Sequence, residues 1–284
     1  MSAPPLFRLV DERRVSVARD AAAVRQVLDE DPVGSCMVAS RVAEYGVEPS
    51  AIGGELWTRR GATESLCYAG ANLIPLRGEV SDMHAFADKA MGTARRCSSL
   101  VGRAEFVLPL WQRLEHAWGP ARDVREHQPL MALSTPPACP GDRAVRPVRI
   151  DELDAYLIAA IDMFIGEVGI DPRIGDGGRG YRRRVAGLIA AGRAWARFER
   201  GQVVFKAEVG SQSPAVGQIQ GVWVHPDWRG HGVGTAGTAT LASAVVRSGR
   251  IASLYVNSFN TVARATYARI GFTQVGSFAT VLLD

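Results

Sequence analysis

The chain has 284 residues, of which 47% are hydrophobic and 22% charged, a composition typical of a globular protein that is long for one domain. It has neither a signal-peptide core nor an apolar run long enough to span a bilayer, which predicts a cytoplasmic protein without membrane contact. The net charge of +4 permits an anionic partner, but no base-reading element accompanies it, so we expect no nucleic acid.

The first half of the chain alternates between strand and helix signals. Asp20 precedes an alanine-rich run and suits a helix N-cap, and Arg60 and Gly61 mark the turn of a hairpin. We predict helices at residues 20–28, 35–45, 82 onward and 105–118, hairpin strands at 54–59 and 64–69, and further strands near 15 and at 71–76, 98–101 and 124–133. The proline-rich segment that follows predicts an extended linker.

The second half repeats this order of elements. We predict a strand at 145–150, helices beginning at residues 151 and 181, a glycine-rich loop at 166–180, and strands at 194–199, 203–210 and 217–224. The repetition predicts a duplicated fold whose first copy has diverged. After Pro75 the first copy offers one glycine and two acidic residues, where the second copy has a run of glycines.

A glycine-rich turn follows the strand that ends at Val224. Arg229 opens the sequence Arg-Gly-His-Gly-Val-Gly, and a helix begins there. Glycines let backbone amides approach a ligand, and the first amides of a helix lack internal partners, so this junction suits phosphate. A P-loop is excluded because no lysine and Ser or Thr follow the second glycine. The dinucleotide fingerprint matches at residues 232–237, but no acidic residue follows about twenty positions later.

A second segment lies downstream of this turn. A β-rich run at 251–256 precedes Asn260, which suits a helix N-cap, and Gly271 suits the stop of the helix. Ala263 and Tyr267 are four positions apart and share one face of that helix. The segment therefore predicts a short helix that holds Tyr267 in a fixed register.

The two segments, in this order and spacing, resemble the two signatures of the GCN5-related N-acetyltransferases (GNAT). The resemblance covers residues 144–284. It implies an α/β (α+β) fold of two tandem acetyltransferase-like domains, each a mixed, largely antiparallel sheet flanked by helices. We place a diverged domain without a phosphate loop at residues 1–134, a linker at 135–143, and an acetyl-CoA-binding N-acetyltransferase domain at 144–284.

The resemblance also implies a role for each residue of the signatures. Val222 and Val224 would bind the pantetheine arm and thioester through main-chain groups, and Asn260 would contact pantetheine. Tyr267 would protonate the leaving sulfur. The amides of Val233 and Gly234, with Arg229, would hold the pyrophosphate, and the other expected cofactor-binding residues of the loop are Gly230, His231 and Gly232.

No motif identifies the general base. Several family members place a Glu on the strand before the phosphate loop, whereas residues 217–223 contain no carboxylate. Glu208 on the preceding strand is the first candidate, and Glu167 in the glycine-rich loop is the second; either acts through water. Each is equally compatible with a surface acid that has no catalytic role.

These expectations predict an enzyme that moves acetyl from acetyl-CoA to an amine of a small molecule or protein, by direct transfer in a ternary complex. The four cysteines are widely spaced and none is placed beside the thioester, so we expect no acyl-enzyme, disulfide framework or metal site. The alternative is an acyl-CoA-binding sensor without catalysis. The missing base favours the sensor, whereas Asn260 and Tyr267 disfavour it. The sequence does not predict the acceptor or the oligomeric state.

Overall fold

The computed structural model describes residues 14–284 and divides the chain into two units. Of the described residues, unit 1 comprises those up to His127 together with Phe278–Asp284, and unit 2 comprises Gln128–Ser277. Within residues 14–284 no helix is long and apolar enough to cross a membrane. The predicted lack of a signal-peptide core concerns residues that lie outside the described part of the chain.

Unit 1 is a mixed sheet flanked by helices. Its elements are β1 Ser16–Val17, α1 Ala21–Glu30, α2 Cys36–Tyr45, α3 Pro49–Ile52, β2 Glu55–Thr58, β3 Leu66–Ala69, β4 Asn72–Arg77, α4 Val80–Met91, β5 Ser99–Arg103, α5 Ala104–Trp118 and the first part of β6 Asp123–Leu133. Strands β1 to β5 lie in sequence order, with β4 and β5 parallel and the other pairs antiparallel.

Unit 2 has the same plan. Its elements are the second part of β6, β7 Arg146–Pro147, α6 Leu153–Val168, α7 Arg179–Ala190, β8 Ala194–Glu199, β9 Gln202–Gln212, β10 Val216–Val224, α8 Val233–Arg247, β11 Ile251–Tyr255, α9 Thr261–Ile270 and the first part of β12 Thr273–Leu282. Strands β7 to β11 lie in sequence order, with β10 and β11 parallel and the other pairs antiparallel.

Each sheet is completed by a strand from the other half of the sequence. Residues 130–133 of β6 pair antiparallel with β11 in unit 2, and residues 278–282 of β12 pair antiparallel with β5 in unit 1. The unit limits therefore differ from the predicted limits at residues 134 and 144. The reason is that β6 and β12 each begin in one unit and end in the other.

The predicted order of elements is confirmed in both halves. From β1 to β6 and from β7 to β12, the chain follows strand, helices, three strands, helix, strand, helix and strand. Asp20 caps α1 as predicted, since its carboxylate accepts from the main-chain N–H groups of Ala22 and Ala23. Two boundaries were wrong: the predicted strand at 145–150 shortens to β7, and α6 continues to Val168, which shortens the predicted glycine-rich loop.

The sheet of unit 2 has a buried core on each face. Alternate side chains of β9 point to opposite faces. Phe205, Ala207 and Val209 pack with α8 and α9, whereas the neighbouring positions face α6 and α7. Gly237 of α8 lies directly over the Phe205 ring, because a Cβ added at Gly237 would come within 2.6 Å of it. This glycine therefore allows the helix to approach the sheet closely.

We expect Gly237→Ala to destabilise the protein. Phe205 is fully buried and has no room to move, so the added methyl group overpacks the core and costs about 1–3 kcal/mol. Gly187 in α7 is the matched control, because a Cβ there meets nothing within 4 Å. Gly187→Ala should stabilise the protein by about 0.5–1 kcal/mol through helix propensity. Thermal unfolding measures the stability of both variants. Equal stability of Gly237→Ala and Gly187→Ala would contradict the close packing of Gly237 on Phe205.

Candidate functional site

Strands β10 and β11 pair only at their beginnings. Their register runs from Val216 opposite Ile251 to Gln218 opposite Ser253, after which β10 continues to Val224. Residues 220–224 are half-buried. Diverging strands leave main-chain N–H and C=O groups available to a ligand. An opening between the two strands therefore lies along the second half of β10.

Strand β10 has a bulge in this diverging part. Gln220 lies opposite Glu208 and Trp223 lies opposite Lys206, so that β10 uses one residue more than β9 over the stretch. Gly221 has φ +59°, in the left-handed region that favours glycine.

The bulge decides which way the following side chains point. Val222 and Val224 pack against the core that β9 forms with α8 and α9, whereas Trp223 packs against the core beneath α6 and α7. Ile219, before the bulge, belongs to the α8 side. In a regular strand, Gln220 and Trp223 would point to opposite faces, because they are three positions apart. With the extra residue they point to the same face. The extra residue therefore keeps both predicted cofactor-contacting valines on the α8 side.

The turn after β10 is closed by a short helical turn and by Arg229. Residues Pro226–Trp228 form that turn, and the Arg229 Nε donates to the Val224 carbonyl oxygen over 3.1 Å. Gly230 and Gly232 both have φ +78°. Positive φ is costly for other residues, so both glycines are needed for the chain to enter α8 in this direction.

The N-terminus of α8 faces open space. In the part of the chain that the structure describes, no main-chain bond uses the amides of residues 230–235, and Gly232 offers no side-chain cap. A Cβ at Gly232 would meet nothing within 4 Å, whereas a Cβ at Gly234 would lie 3.2 Å from Val224 Cγ2. His231 is exposed and Val233 is buried. Free amides and the positive end of a 15-residue helix form a site suited to an anion.

Helix α9 begins and ends as predicted. The Asn260 Oδ1 accepts from the main-chain N–H of Ala263 over 3.0 Å, and Gly271 closes the helix with φ +110°. Because Oδ1 is used by the cap, the amide nitrogen of Asn260 is the part of this side chain left to contact a ligand.

Tyr267 lies in the same core as Val222 and Val224. It is 8% exposed, and its ring meets Phe272 edge to face with centroids 6.1 Å apart. Burial raises the pKa of the Tyr267 phenol, and the charge of Glu167 raises that pKa further. Tyr267 is therefore a neutral phenol with a proton to donate.

Glu208 lies on the other face of the sheet and is 2% exposed, so the interpretation of this residue as a surface acid was wrong. Its Oε1 accepts from Gln220 over 2.7 Å and from Arg184 over 3.3 Å, and its Oε2 lies 3.6 Å from the Lys206 Nζ. Burial raises the pKa of Glu208, but Lys206, Arg184 and Gln220 outweigh it and lower the pKa overall.

Glu167 is exposed near the C-terminal end of α6, two residues before the Gly169 cap. Burial is the larger cause of the raised pKa of Tyr267, and the negative charge of Glu167 raises that pKa further. The same charge opposes the lowering of the pKa of Lys206 by burial. Glu167 is thus an exposed carboxylate near the end of α6, whereas Glu208 is enclosed.

Sequence reasoning missed the buried partners of Glu208. Lys206 is fully buried, and its Nζ lies 5.4 Å from the centre of the Tyr156 ring. Burial, followed by the charge of Glu208, raises the pKa of Tyr156. The available signal was the alternation of Lys206 and Glu208 with apolar residues on β9, but that pattern is also typical of a solvent-facing strand.

Unit 1 has a different arrangement at the corresponding helix start. At the beginning of α4, the buried carboxylate of Asp82 accepts from the main-chain N–H of Glu79 over 2.9 Å. Arg59 and Arg60 form ion pairs with the same carboxylate over 3.3 and 3.1 Å. The first turn of α4 therefore already holds an anionic group from within the chain.

Comparison with known proteins covers both units. A family model described as FR47-like protein matches residues 206–281, and one described as a domain of unknown function, DUF4081, matches residues 54–156. No curated protein matches the sequence. In the described part of the chain, no group of three or more His, Cys, Asp or Glu side chains is placed to hold a metal ion.

Solved structures align with nearly the whole chain. A GNAT-family acetyltransferase from Colwellia psychrerythraea is 12% identical, with a TM-score of 0.58 over 95% of this chain and 100% of its own. A tandem GNAT protein from the clavulanic acid biosynthesis pathway is 15% identical, with a TM-score of 0.51 over 94% and 98%. The chain has the tandem GNAT fold. A Drosophila protein shares this GNAT fold at 12% identity, with a TM-score of 0.67 over 95% and 98%.

Proposed function

We propose that unit 2 binds acetyl-CoA and transfers its acetyl group to an amine of a small molecule or protein. The observation that carries this proposal is the opening between β10 and β11, which leads to the free amides at the start of α8. Tyr267 packs in the core beside the same segment of β10. This arrangement suits a long ligand with an anionic end and a reactive end.

The anionic end is the pyrophosphate. The amides of residues 230–235 and the dipole of α8 supply hydrogen bonds and positive potential there. Arg229 adds a guanidinium, which binds phosphate oxygens in a fork. His231 is exposed within this loop, where it supplies a further polar contact.

The reactive end is the thioester. The main-chain groups of Val222 and Val224 bind the pantetheine arm and thioester where β10 has left β11, and Asn260 contributes its amide nitrogen. Tyr267 donates its proton to the departing sulfur. A free thiol has a pKa of about 8.5, so the sulfur leaves more readily when a neutral phenol hydrogen-bonds to it.

The amine must lose a proton before or during attack. Of the two candidate bases, Glu208 and Glu167, we favour Glu167, because it is exposed near the end of α6 and is able to act through water. Glu208 keeps its carboxylate ionised but enclosed by three partners, which suits it to holding other groups in place. Cys139, partly buried in the core of unit 2, is not part of this arrangement, so acetyl passes directly from thioester to amine.

An acyl-CoA sensor without catalysis is the second function that the site accommodates. The enclosure of Glu208 favours it, because that carboxylate is not free to collect a proton from an amine. The exposed carboxylate of Glu167 and the protonated phenol of Tyr267 favour the enzyme. Loss of turnover in the Tyr267 variant described in the Discussion, with unchanged CoA binding, distinguishes the two.

We expect acetyl-CoA to stabilise the protein against heat through this loop. At a hundredfold excess over its Kd, a ligand adds about 2.7 kcal/mol to the free energy of unfolding. Gly232→Leu should abolish that thermal shift, because its side chain fills the approach to the amides. Gly249→Leu is the matched control, since Gly249 has the same φ of +78° and equally open surroundings, but follows the end of α8. An unshifted wild type, or a shift retained in Gly232→Leu, would contradict the proposal.

A further inference from the structure

A buried ion pair lies directly beneath the bulge of β10. The cross-strand partners of Glu208 and Lys206 are Gln220 and Trp223, which are the residues that flank the bulge. A Cβ added at Gly221 would lie 3.0 Å from the Lys206 Nζ. The ammonium group therefore lies next to the space that a Cβ at Gly221 would occupy, and glycine also suits the positive φ of this position.

The pair is connected to both ends of the bulge. The Glu208 Oε1 accepts from Gln220 before the bulge over 2.7 Å, and its Oε2 lies 3.6 Å from Lys206, opposite Trp223. Arg184 of α7 contacts the same carboxylate from the surface. The Glu208 carboxylate is thus bonded to Gln220 on one side of the bulge and paired with Lys206, which lies opposite Trp223, on the other side.

Stability alone does not account for this pair. The Lys206 side chain is fully buried, and no hydrogen bond in residues 14–284 reaches its Nζ. A buried pair is often replaced by apolar residues without loss of stability, whereas an ammonium group without hydrogen bonds carries a desolvation cost. Retaining charge at this point requires another explanation, and the adjacent bulge provides one.

We propose that Lys206 is a positioning residue for the reaction. Through its ion pair with Glu208 and its position beside Gly221, it holds the bulge that turns Val222 and Val224 toward the α8 side, where their main chain binds the thioester. The inference rests on the proposed acetyl transfer. Loss of the ion pair loosens the bulge and misplaces the thioester, while the pyrophosphate loop stays intact.

The test compares Lys206→Met with the double variant Lys206→Met/Glu208→Gln in the full chain. The double variant removes both charges, so its unfolding temperature should return close to the wild-type value. Its kcat should nevertheless stay about a hundredfold low, the effect that a small misplacement of reacting groups has. Its Kd for CoA, which lacks the acetyl group, should change little. Lys89→Met removes the other lysine of the chain, which lies in unit 1, and should leave turnover unchanged.

Recovery of turnover together with stability in the double variant would overturn the proposal. Amide hydrogen exchange at residues 221–224 provides a second measurement that needs no substrate. Exchange should become about tenfold faster in the double variant and in Glu208→Gln, and unchanged exchange would also overturn the proposal. Glu208→Gln keeps the volume of the site, so it serves if the other variants do not fold. If wild type binds no CoA and turns over no amine while exchange behaves as expected, the proposed function fails and the role of Lys206 in the bulge stands.

Discussion

Tyr267→Phe should lower turnover by about a hundredfold to ten-thousandfold, the range that general acid catalysis contributes. The phenol is buried and protonated in a helix whose register is set by its caps at Asn260 and Gly271. Removing the hydroxyl leaves the ring and its contact with Phe272 in place. The Kd for CoA should therefore change little, and steady-state kinetics with a panel of amines measures the loss.

Tyr68→Phe is the matched control for this variant. Tyr68 is also buried, but it lies in unit 1, where its hydroxyl donates to the Gly53 carbonyl oxygen over 3.1 Å. Losing that bond should lower the stability by about 1 kcal/mol and leave turnover unchanged. Equal turnover in Tyr267→Phe and wild type would remove Tyr267 as the acid. Tight CoA binding by a wild type that acetylates no amine would favour the sensor.

A fragment of residues 128–277 should fold, whereas a fragment of residues 144–284 should not. The first keeps the part of β6 that pairs with β11, including Met131 and Leu133, which are buried in the core of unit 2. The second lacks them. Burial of two such side chains contributes roughly 5 kcal/mol, which is comparable to the whole stability of a typical domain. Thermal unfolding followed by circular dichroism measures the difference.

The fragment of residues 128–277 carrying Leu133→Asp is the control for this comparison. A charge at that buried position should reproduce the behaviour of the shorter fragment, because an isolated charge is not stable in an apolar core. Cooperative unfolding of the 144–284 fragment at the temperature of the 128–277 fragment would show that β6 is not needed beside β11.

Most elements and the glycine loop could be predicted because their signals are local. Asp20 and Asn260 cap helices in the structure as their neighbours in sequence suggested. The turn from Arg229 to the start of α8 also follows from local chemistry, because glycine adopts a positive φ at little cost and Gly230 and Gly232 both have one.

The buried pair and the bulge could not be predicted because both depend on distant parts of the chain. Alternation of Lys206 and Glu208 with apolar residues fits a strand with one wet face. Here α6 and α7 cover that face. A glycine inside a strand, such as Gly221, often marks a bulge, but the sequence does not give the register with β9 that defines the extra residue.

The sequence also did not predict that each sheet is completed by a strand from the other half of the chain. The signals at residues 124–133 describe a strand whichever neighbour it has, since pairing partners are set by the whole fold. A boundary drawn at the proline-rich segment therefore separates β6 from the sheet that its second half completes.

The position of β12 has a consequence for synthesis on the ribosome. Residues 278–282 pair with Ser99–Arg103, so the partner of β5 is translated about 180 residues later, a highly non-local contact that slows folding. At about 5–20 residues per second, β5 waits roughly ten to forty seconds for its partner. During that interval the nascent chain exposes an unpaired strand edge that invites pairing with other chains. Unit 1, although it is begun first, is completed only when residues 278–282 have left the ribosome.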